Sequence, residues 1–237
     1  ITEVEERAVI QAAMEAGARR VYLIEEPLAA ALGAHLDVSA PEGRMVVDIG
    51  GGTTDIGVIT MNGVAISSSI KVAGTQFDEV IIKYVRKRFG VIIGANTAEE
   101  IKLSIGCVSP RPASLTMTAK GRDVKSGLAH EFTVTSEEIM EVLRRPARQI
   151  ADRVLDVLEQ TTPELVADIS KNGILLTGGG SQLWGMDQVL RDRTEMNCVV
   201  ADDADSCVAY GCGKSLGWMN HMQEGTINIS RRRLLKE

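Results

Sequence analysis

Residues 45–59 contain two carboxylates and a run of glycines whose spacing suits phosphate and metal chemistry. Asp48 and Asp55 flank the segment 50–54, Gly-Gly-Gly-Thr-Thr, which lies between two β-branched apolar runs. This pattern predicts a tight β-hairpin. Consecutive free N–H groups in a glycine turn form a concave anion site, and a carboxylate beside it typically serves a metal ion or a water. The alternative is an ordinary hairpin with a flexible tip.

A second glycine run, Gly178-Gly179-Gly180-Ser181, directly follows a predicted buried strand at 173–177. If both glycine-rich turns end strands of one sheet, their backbone N–H groups face one cleft. The alternative is a loop that merely begins a helix. Glu99 and Lys102 are three residues apart on a predicted helix and therefore share a face. Without further information they also fit a surface ion pair of little energetic value.

The elements that must position these residues alternate between strands and helices, which predicts an α/β class. Capping patterns and apolar periodicity predict helices at 2–17, 26–33, 74–88, 97–106, 136–160, from 163, and at 185–193 and 204–218. In this reading Thr2, Thr97 and Ser136 cap their helices, and Pro146 kinks the long helix or divides it in two. Predicted strands cover 21–24, 45–59 as a hairpin, 64–70, 114–119, 131–135, 173–177 and 197–200.

Composition excludes several classes of protein. The 237 residues include 44% hydrophobic and 24% charged residues, which is an ordinary globular balance. The net charge of −6 disfavours a nucleic-acid surface. The four cysteines have no Cys-x-x-Cys spacing and the three histidines are scattered, so reduced thiols are expected rather than a metal cluster. We see no signal peptide and no run long enough to span a membrane.

Four motifs in a fixed order are more specific than any one of them. They are Glu-Glu-Pro at 25–27, Asp-Ile-Gly-Gly-Gly-Thr-Thr-Asp at 48–55, Thr-Ala-Glu-Glu-Ile-Lys at 97–102 and Leu-Thr-Gly-Gly-Gly-Ser at 176–181. Together they resemble the actin-like ATPase superfamily and, within it, the MreB family of bacterial actins. The resemblance covers nearly the whole chain. It implies an actin-like (ribonuclease H-like) fold, a mixed sheet with flanking helices plus a small α+β subdomain.

The resemblance also implies a division of the chain. Residues 1–44 correspond to a remnant of the first (IA-like) subdomain, and 45–76 with 144–200 to the nucleotide-binding IIA-like subdomain. Residues 77–143 correspond to the smaller IIB-like subdomain, 201–225 to a hinge helix, and 226–237 to a tail, expected to be frayed. The family's first phosphate loop is not found, so we expect a chain whose first half-domain is largely missing and which turns over little ATP alone.

The roles of individual residues follow from the resemblance, with ATP and Mg²⁺ as the implied ligands. Asp48 corresponds to the Mg²⁺ residue, acting through a water, and Glu26 to the residue that orients the attacking water, with Thr53 or Thr54 as its helper. The residues that correspond to the phosphate and nucleoside site are Gly50, Gly51, Gly52, Thr53, Glu99, Glu100, Ile101, Lys102, Gly178, Gly179, Gly180 and Ser181.

The implied function is that of an ATP-binding, filament-forming protein that organises cell-wall synthesis and cell shape. It would lie in the cytoplasm at the inner face of the cytoplasmic membrane. The implied partners are copies of itself, the membrane surface, and membrane-bound cell-elongation proteins such as RodZ, MreC and MreD. Two departures, Ser104 in place of an acidic residue and Ala204-Asp205-Ser206 in place of Pro-Leu-Thr, affect detail around the site. The alternatives are a DnaK-type chaperone ATPase domain and a sugar or acetate kinase of the same superfamily.

Overall fold

The computed structural model describes residues 3–218 and 227–229. The strands are β1 (Tyr22–Ile24), β2 (Arg44–Ile49), β3 (Thr54–Thr60), β4 (Gly63–Ile70), β5 (Val91–Ile92), β6 (Thr116–Asp123), β7 (Ala129–Thr135), β8 (Ile174–Thr177), β9 (Cys198–Val200) and β10 (Ile227–Ile229). The helices are α1 (Glu3–Glu15), α2 (Glu26–Gly33), α3 (Gly74–Phe89), α4 (Ala95–Ile105), α5 (Ser136–Gln160), α6 (Pro163–Asn172), α7 (Met186–Thr194) and α8 (Cys207–Trp218). A short 3-10 helix covers Gly179–Gln182.

A five-stranded mixed sheet in the order β4-β3-β2-β8-β9 forms the centre of the fold. The meander β2-β3-β4 is antiparallel, whereas β2-β8 and β8-β9 are parallel. In this register Asp48 of β2 lies opposite Asp55 of β3 on one side and Thr177 of β8 on the other. The sheet confirms the predicted mixed α/β fold. It also brings both glycine-rich turns to the carboxyl ends of adjacent parallel strands.

One apolar core joins the central sheet to the helices on one face. Phe77 and Ile81 of α3, Ile139 and Ile150 of α5, and Ile49 of β2 are fully buried in it. These positions recur with helical period along α3 and α5, which is why the amphipathic pattern predicted both helices. A smaller core on the other face joins α2 to the sheet through aliphatic residues of α2 and Val46. With only 3% aromatic residues, both cores depend on aliphatic packing.

Helices α2 and α8 cross with their backbones in contact. A Cβ atom on Gly33 would lie 1.8 Å from the Cys207 carbonyl oxygen, and one on Gly211 would lie 1.7 Å from the Ala29 carbonyl oxygen. The Lys214 ammonium donates to the carbonyls of Leu32 and Gly33 and thereby caps the C-terminal end of α2. Glycine at positions 33 and 211 therefore has a direct steric reason.

A three-stranded antiparallel sheet, β5-β6-β7, accompanies α3 and α4. Strands β6 and β7 are longer than predicted, and β5 was not predicted. Helix α4 begins at Ala95 after Gly94, with no side-chain cap, so the predicted capping box at Thr97 is wrong. Helix α5 is capped by Thr135, whose hydroxyl accepts from the Glu138 amide while the Glu138 carboxylate accepts from the Thr135 amide. Ser136 is therefore its first residue rather than its cap.

Helix α5 is a single helix of 25 residues that runs through Pro146, so it is not divided in two. Pro146 and its neighbour Ala147 are buried in the core, and this packing holds the helix together where one backbone hydrogen bond is lost. Among the described residues no helix is both long and apolar enough to cross a membrane. The predicted cap Thr2 lies outside the described residues, as do residues 226 and 230–237 of the predicted tail. Residues 227–229 of that tail form β10, which pairs with β1, so this part is not frayed as expected.

Candidate functional site

The first turn of helix α2 places Glu26 next to the hairpin. Pro27 occupies the first turn of the helix, where its missing N–H costs nothing. The Pro27 ring lies directly over Gly57 of β3, since a Cβ on Gly57 would be 2.5 Å from the Cβ of Pro27. Gly57 therefore allows the start of α2 to approach the sheet beside the carboxylates of the hairpin. Sequence reasoning did not single out Gly57, although it lies two residues after Asp55.

Glu26, Asp48 and Asp55 are neighbours at this point, although the three side chains do not form a metal-binding group by themselves. Asp48 is 2% exposed and accepts a hydrogen bond of 2.7 Å from the Thr177 hydroxyl. Asp55 lies directly opposite Asp48 across the antiparallel pair, an arrangement in which like charges destabilise a sheet. The Glu26 side chain is close enough to Asp48 for their carboxyl groups to share a hydrogen bond. No cationic side chain offsets this cluster in the part of the chain that is described.

The cluster changes the protonation of its members. Partial burial, followed by the charges of Asp55 and Asp48, raises the pKa of Glu26 to about 7. Burial also raises the pKa of Asp48, and the hydrogen bonds from Thr177 and from Glu26 oppose that rise. Near neutral pH a shared proton on Glu26 therefore relieves the repulsion. A divalent cation would relieve it more completely.

The hairpin tip holds its backbone in a fixed shape. The Gly50 amide donates to the Thr53 carbonyl at 3.0 Å, while the carbonyls of Gly50 and Gly51 accept from the amides of Gly74 and Thr75 at 3.1 and 2.7 Å. The first turn of α3 thus anchors the tip. Within residues 3–218, no acceptor is found for the amides of Gly51, Gly52 and Thr53. These N–H groups remain available as the donors that the sequence predicted for an anion.

Two of the three glycines at the tip, Gly51 and Gly52, are not required by packing. A Cβ on Gly51 or Gly52 would meet nothing within 4 Å, and neither residue has a positive φ. Their lack of side chains therefore leaves open space above the free amides, as a bound phosphate group requires.

The two threonines that follow the glycines differ in role. Thr54 is fully buried and its hydroxyl donates to the Val72 carbonyl at 2.7 Å, so this hydroxyl ties β3 to the segment before α3. The catalytic role considered for Thr54 therefore conflicts with the structure. Thr53 is only partly buried and is the threonine whose hydroxyl remains available.

The second glycine run lies beside the first, as the sequence predicted. Gly178 has a φ of +79° and, like Gly180, packs directly on Ile49 at the end of β2. Gly179 is exposed, and a Cβ there would meet nothing within 4 Å. Ser181 is buried, and its hydroxyl donates to the Gly178 carbonyl at 2.7 Å. Ser181 therefore shapes the turn, and Gly179 is the most exposed residue of the run.

The predicted nucleoside residues on α4 separate into two sets. Glu99 and Glu100 are exposed, whereas Ile101 is fully buried in the core, so its side chain cannot contact a ligand. Lys102 does not pair with Glu99. Its ammonium lies 2.9 Å from the Asp78 carboxylate and 3.3 Å from the Gly74 carbonyl oxygen, and both side chains of the pair are only 12–15% exposed.

The Lys102–Asp78 pair links the predicted nucleoside residues of α4 to the predicted phosphate residues of the hairpin. Gly74, which Lys102 contacts, donates to the hairpin tip at Gly50. Sequence reasoning missed Asp78, and the available signal was its position four residues after Gly74 on the face that turns towards α4. It also missed Thr177 as the partner of Asp48, although Thr177 is part of the fourth motif.

The donor set fits Mg²⁺ better than a metal held entirely by protein. Within the described residues no three His, Cys, Asp or Glu side chains converge with the geometry of a metal site. Mg²⁺ keeps several waters and is usually held by one or two carboxylates plus phosphate oxygens. Asp48 and Asp55, with free amides at the adjacent tip, match that requirement.

The chain is similar in sequence to known proteins over most of its length. The family model described as MreB/Mbl protein matches residues 1–224. The cell shape-determining protein MreB of Escherichia coli K12 is 49% identical over 215 residues, which are 91% of this chain and 62% of that protein. The cell shape-determining protein Mbl of Bacillus subtilis 168 is 44% identical over 228 residues, which are 96% of this chain and 68% of that protein. The chain thus spans 62–68% of the length of these relatives.

Solved structures agree. MreB5 of Spiroplasma citri bound to ADP superposes with a TM-score of 0.88 at 39% identity, over 93% of this chain and 68% of that one. The same protein bound to AMPPNP gives a TM-score of 0.89 over 93% of this chain and 66% of that one. The fold, the ordered motifs and these relatives lead to one conclusion: this chain belongs to the MreB/Mbl family of actin-like proteins.

Proposed function

We propose that this chain supplies the phosphate hairpin, the metal carboxylates and the nucleoside helix of an ATP site. The observation that carries this proposal is the meeting of Glu26, Asp48 and Asp55 beside three unpaired amides. The fold alone does not require such a repulsive cluster. Support also comes from MreB5 of Spiroplasma citri, which is 39% identical and is described as bound to ADP and to AMPPNP.

Each group has a defined task in this proposal. The amides of Gly51, Gly52 and Thr53 donate to phosphate oxygens, and Gly179 leaves room for the nucleoside. Asp48, oriented by Thr177, holds Mg²⁺ through water, with Asp55 as a second carboxylate. When bound, Mg²⁺ neutralises charge that develops on the phosphate oxygens. Lys102, fixed by Asp78, stands at the junction between α4 and the hairpin.

Glu26 is the residue we assign to the attacking water. Its carboxylate accepts a hydrogen bond from the water, and the Thr53 hydroxyl assists in holding that water. A group with a pKa of about 7 exchanges protons readily at neutral pH, which suits this role. Phosphoryl transfer otherwise needs positioning and charge neutralisation, so one carboxylate and one hydroxyl are sufficient partners.

For the protein as a whole, we propose an ATP-hydrolysing bacterial actin that polymerises, lies beneath the cytoplasmic membrane and acts in cell shape with RodZ, MreC and MreD. The identities to MreB and Mbl support this assignment over the chaperone and kinase alternatives. Pelleting with ATP would support polymerisation, whereas peptide-stimulated turnover or sugar-dependent ADP release would favour the alternatives.

Nucleotide binding can be tested by equilibrium dialysis of ATP with and without Mg²⁺. We expect Mg²⁺ to tighten ATP binding by the wild-type chain about tenfold, on the order of 1.4 kcal/mol. Asp48→Asn should lose this dependence but remain folded, since it removes a buried charge from a repulsive cluster. Asp156→Asn on the exposed part of α5 serves as the control. Equal Mg²⁺ dependence in Asp48→Asn and wild type would contradict the assignment.

A further inference from the structure

A groove that contains none of the three carboxylates is lined by arginines that the proposed ATP site does not use. It encloses about 400 Å³ between helices α5 and α7 and the segment Val108–Pro110. Arg144 and Arg148 of α5 and Arg193 of α7 line it, together with Asp152 and Asp192. We call this feature the arginine groove. Because the chain carries a net charge of −6, a concentration of cations here is unlike its average surface.

Among the residues that the structure describes, some charged side chains of the arginine groove have partners and others do not. Asp152 binds the Arg193 guanidinium, and Asp192 accepts a hydrogen bond from the Gln188 amide. Both acidic groups of the groove are therefore already engaged. Neither Arg144 nor Arg148 makes a salt bridge or a side-chain hydrogen bond within residues 3–218. As like charges at i and i+4, they also disfavour the helix slightly, so helix stability does not account for them.

An aromatic residue lies at the rim of the groove. Trp184 is 45% exposed, and its indole N–H points to the carbonyl of Pro110, which lines the groove. The Arg111 guanidinium stacks 4.9 Å from the centre of the Trp184 ring and donates to the Gly106 carbonyl. The Arg111 Nε is buried without a partner in the described part of the chain. Tryptophan and arginine are enriched among the residues that contribute most to protein–protein binding.

We propose that the arginine groove is a docking site for a protein segment that carries closely spaced Asp and Glu side chains. Guanidinium groups bind carboxylates in a bidentate manner, and Arg144 and Arg148 present two free guanidinium groups one helical turn apart. A flat anionic membrane fits less well, because the arginines lie in a concave groove that also contains two aspartates. This docking site is independent of the proposed ATP site.

The test uses fluorescein-labelled decaglutamate as the probe and fluorescence anisotropy as the measurement. The wild-type chain should bind it with an affinity that falls as salt rises. The double variant Arg144→Gln/Arg148→Gln should bind at least tenfold more weakly, and Trp184→Ala severalfold more weakly. The matched control is Lys83→Gln/Lys87→Gln on α3, an exposed i, i+4 pair with the same change of net charge.

Several results would overturn the proposal. One is the absence of decaglutamate binding by the wild type, and another is equal weakening by both double variants. A third is displacement of the peptide by millimolar inorganic phosphate or by anionic phosphatidylglycerol vesicles. If the double variant no longer binds the phosphate or the vesicles, the groove is a general anion site or a membrane site instead. If sedimentation velocity shows self-association of the wild type that the double variant loses, the occupant of the groove is a second copy of the chain. Thermal unfolding of each variant shows whether it remains folded.

Discussion

At the scale of single residues, the carboxylates of the site lower the stability of the fold. Asp48 is buried with one hydroxyl partner, and Asp55 lies opposite it with the same charge. Both features oppose folding, and neither is needed to complete the sheet. Glu26 adds a third carboxylate, and partial burial together with the charges of Asp55 and Asp48 raises its pKa. Such clusters mark functional sites because a ligand must supply the missing positive charge.

This cluster predicts how stability depends on pH. The folded protein holds the Glu26 proton up to a pKa of about 7, whereas the unfolded chain releases it near 4.5. The folded state therefore binds more protons between these values, and its free energy of unfolding falls as pH rises through this window. The raised pKa of Asp48 acts in the same direction.

We expect Glu26→Gln to flatten that dependence. From pH 5 to pH 8 the free energy of unfolding of the wild type should fall more than that of the variant. The extra fall should be on the order of 1 kcal/mol, because Glu26 is partly exposed and its charge is screened by solvent. Urea unfolding without nucleotide at both pH values measures it, with the exposed Glu159→Gln as the reference. A variant whose stability falls with pH as steeply as that of the wild type would show that Glu26 is not the responsible group.

At the scale of elements, glycines fall into two groups. Some allow two elements to pack closely, and others leave open space beside the backbone. Gly57 is in contact with Pro27 and fixes where α2 begins, while Gly52 faces open space at the hairpin tip. One glycine therefore positions Glu26, and the other leaves room for a phosphate. Their positions in the hairpin motif do not distinguish them, because both simply appear as glycine.

Alanine substitutions should separate these two purposes. Gly57→Ala forces Pro27 away from β3 and should lower the free energy of unfolding by about 1–3 kcal/mol. It should also bring the pKa of Glu26 closer to its ordinary value. Gly52→Ala should change stability by less than about 0.5 kcal/mol but weaken ATP binding. Urea unfolding and equilibrium dialysis measure the two effects, and the reverse pattern would contradict this division of roles.

At the scale of the whole molecule, the crossing of α2 and α8 connects the Glu26 helix to the C-terminal part of the fold. The contact is between backbones at Gly33 and Gly211, and Lys214 caps α2 across it. The position of Glu26 relative to the sheet therefore depends on a helix about 180 residues away in sequence. Burial of α2 against both α8 and the sheet makes this crossing a part of the site's framework.

The crossing can be tested within one helix. Gly211→Ala should lower the free energy of unfolding by at least about 2 kcal/mol, because its methyl group meets the Ala29 carbonyl. Gly213→Ala has open space around it and should be neutral or stabilise α8 by up to about 1 kcal/mol, since alanine is the better helix former. Thermal or urea unfolding of both variants gives the comparison. A Gly211→Ala variant as stable as the wild type would rule out the close crossing.

The sequence by itself determined the class of the fold, most of the elements and the identity of the motifs. It could do so because apolar periodicity, glycine turns and the order of motifs are local properties of the chain. Both glycine-rich turns were predicted to share a cleft, and the pairing of β2 with β8 brings them together. The bounds of α5 were predicted correctly, but its capping residue and the start of α4 were not. The capping residue depends on local hydrogen bonds that several neighbouring residues could make.

Only the tertiary structure decided which members of each motif are available to a ligand. Thr53 and Thr54 look alike in sequence, but Thr54 donates to Val72, a partner in the segment before α3. Lys102 shares a helix face with Glu99, yet the partner that fixes it is Asp78 on another helix. The physical reason is that a side chain's role depends on which partners lie within hydrogen-bond distance, and distant parts of the chain supply those partners only when it folds.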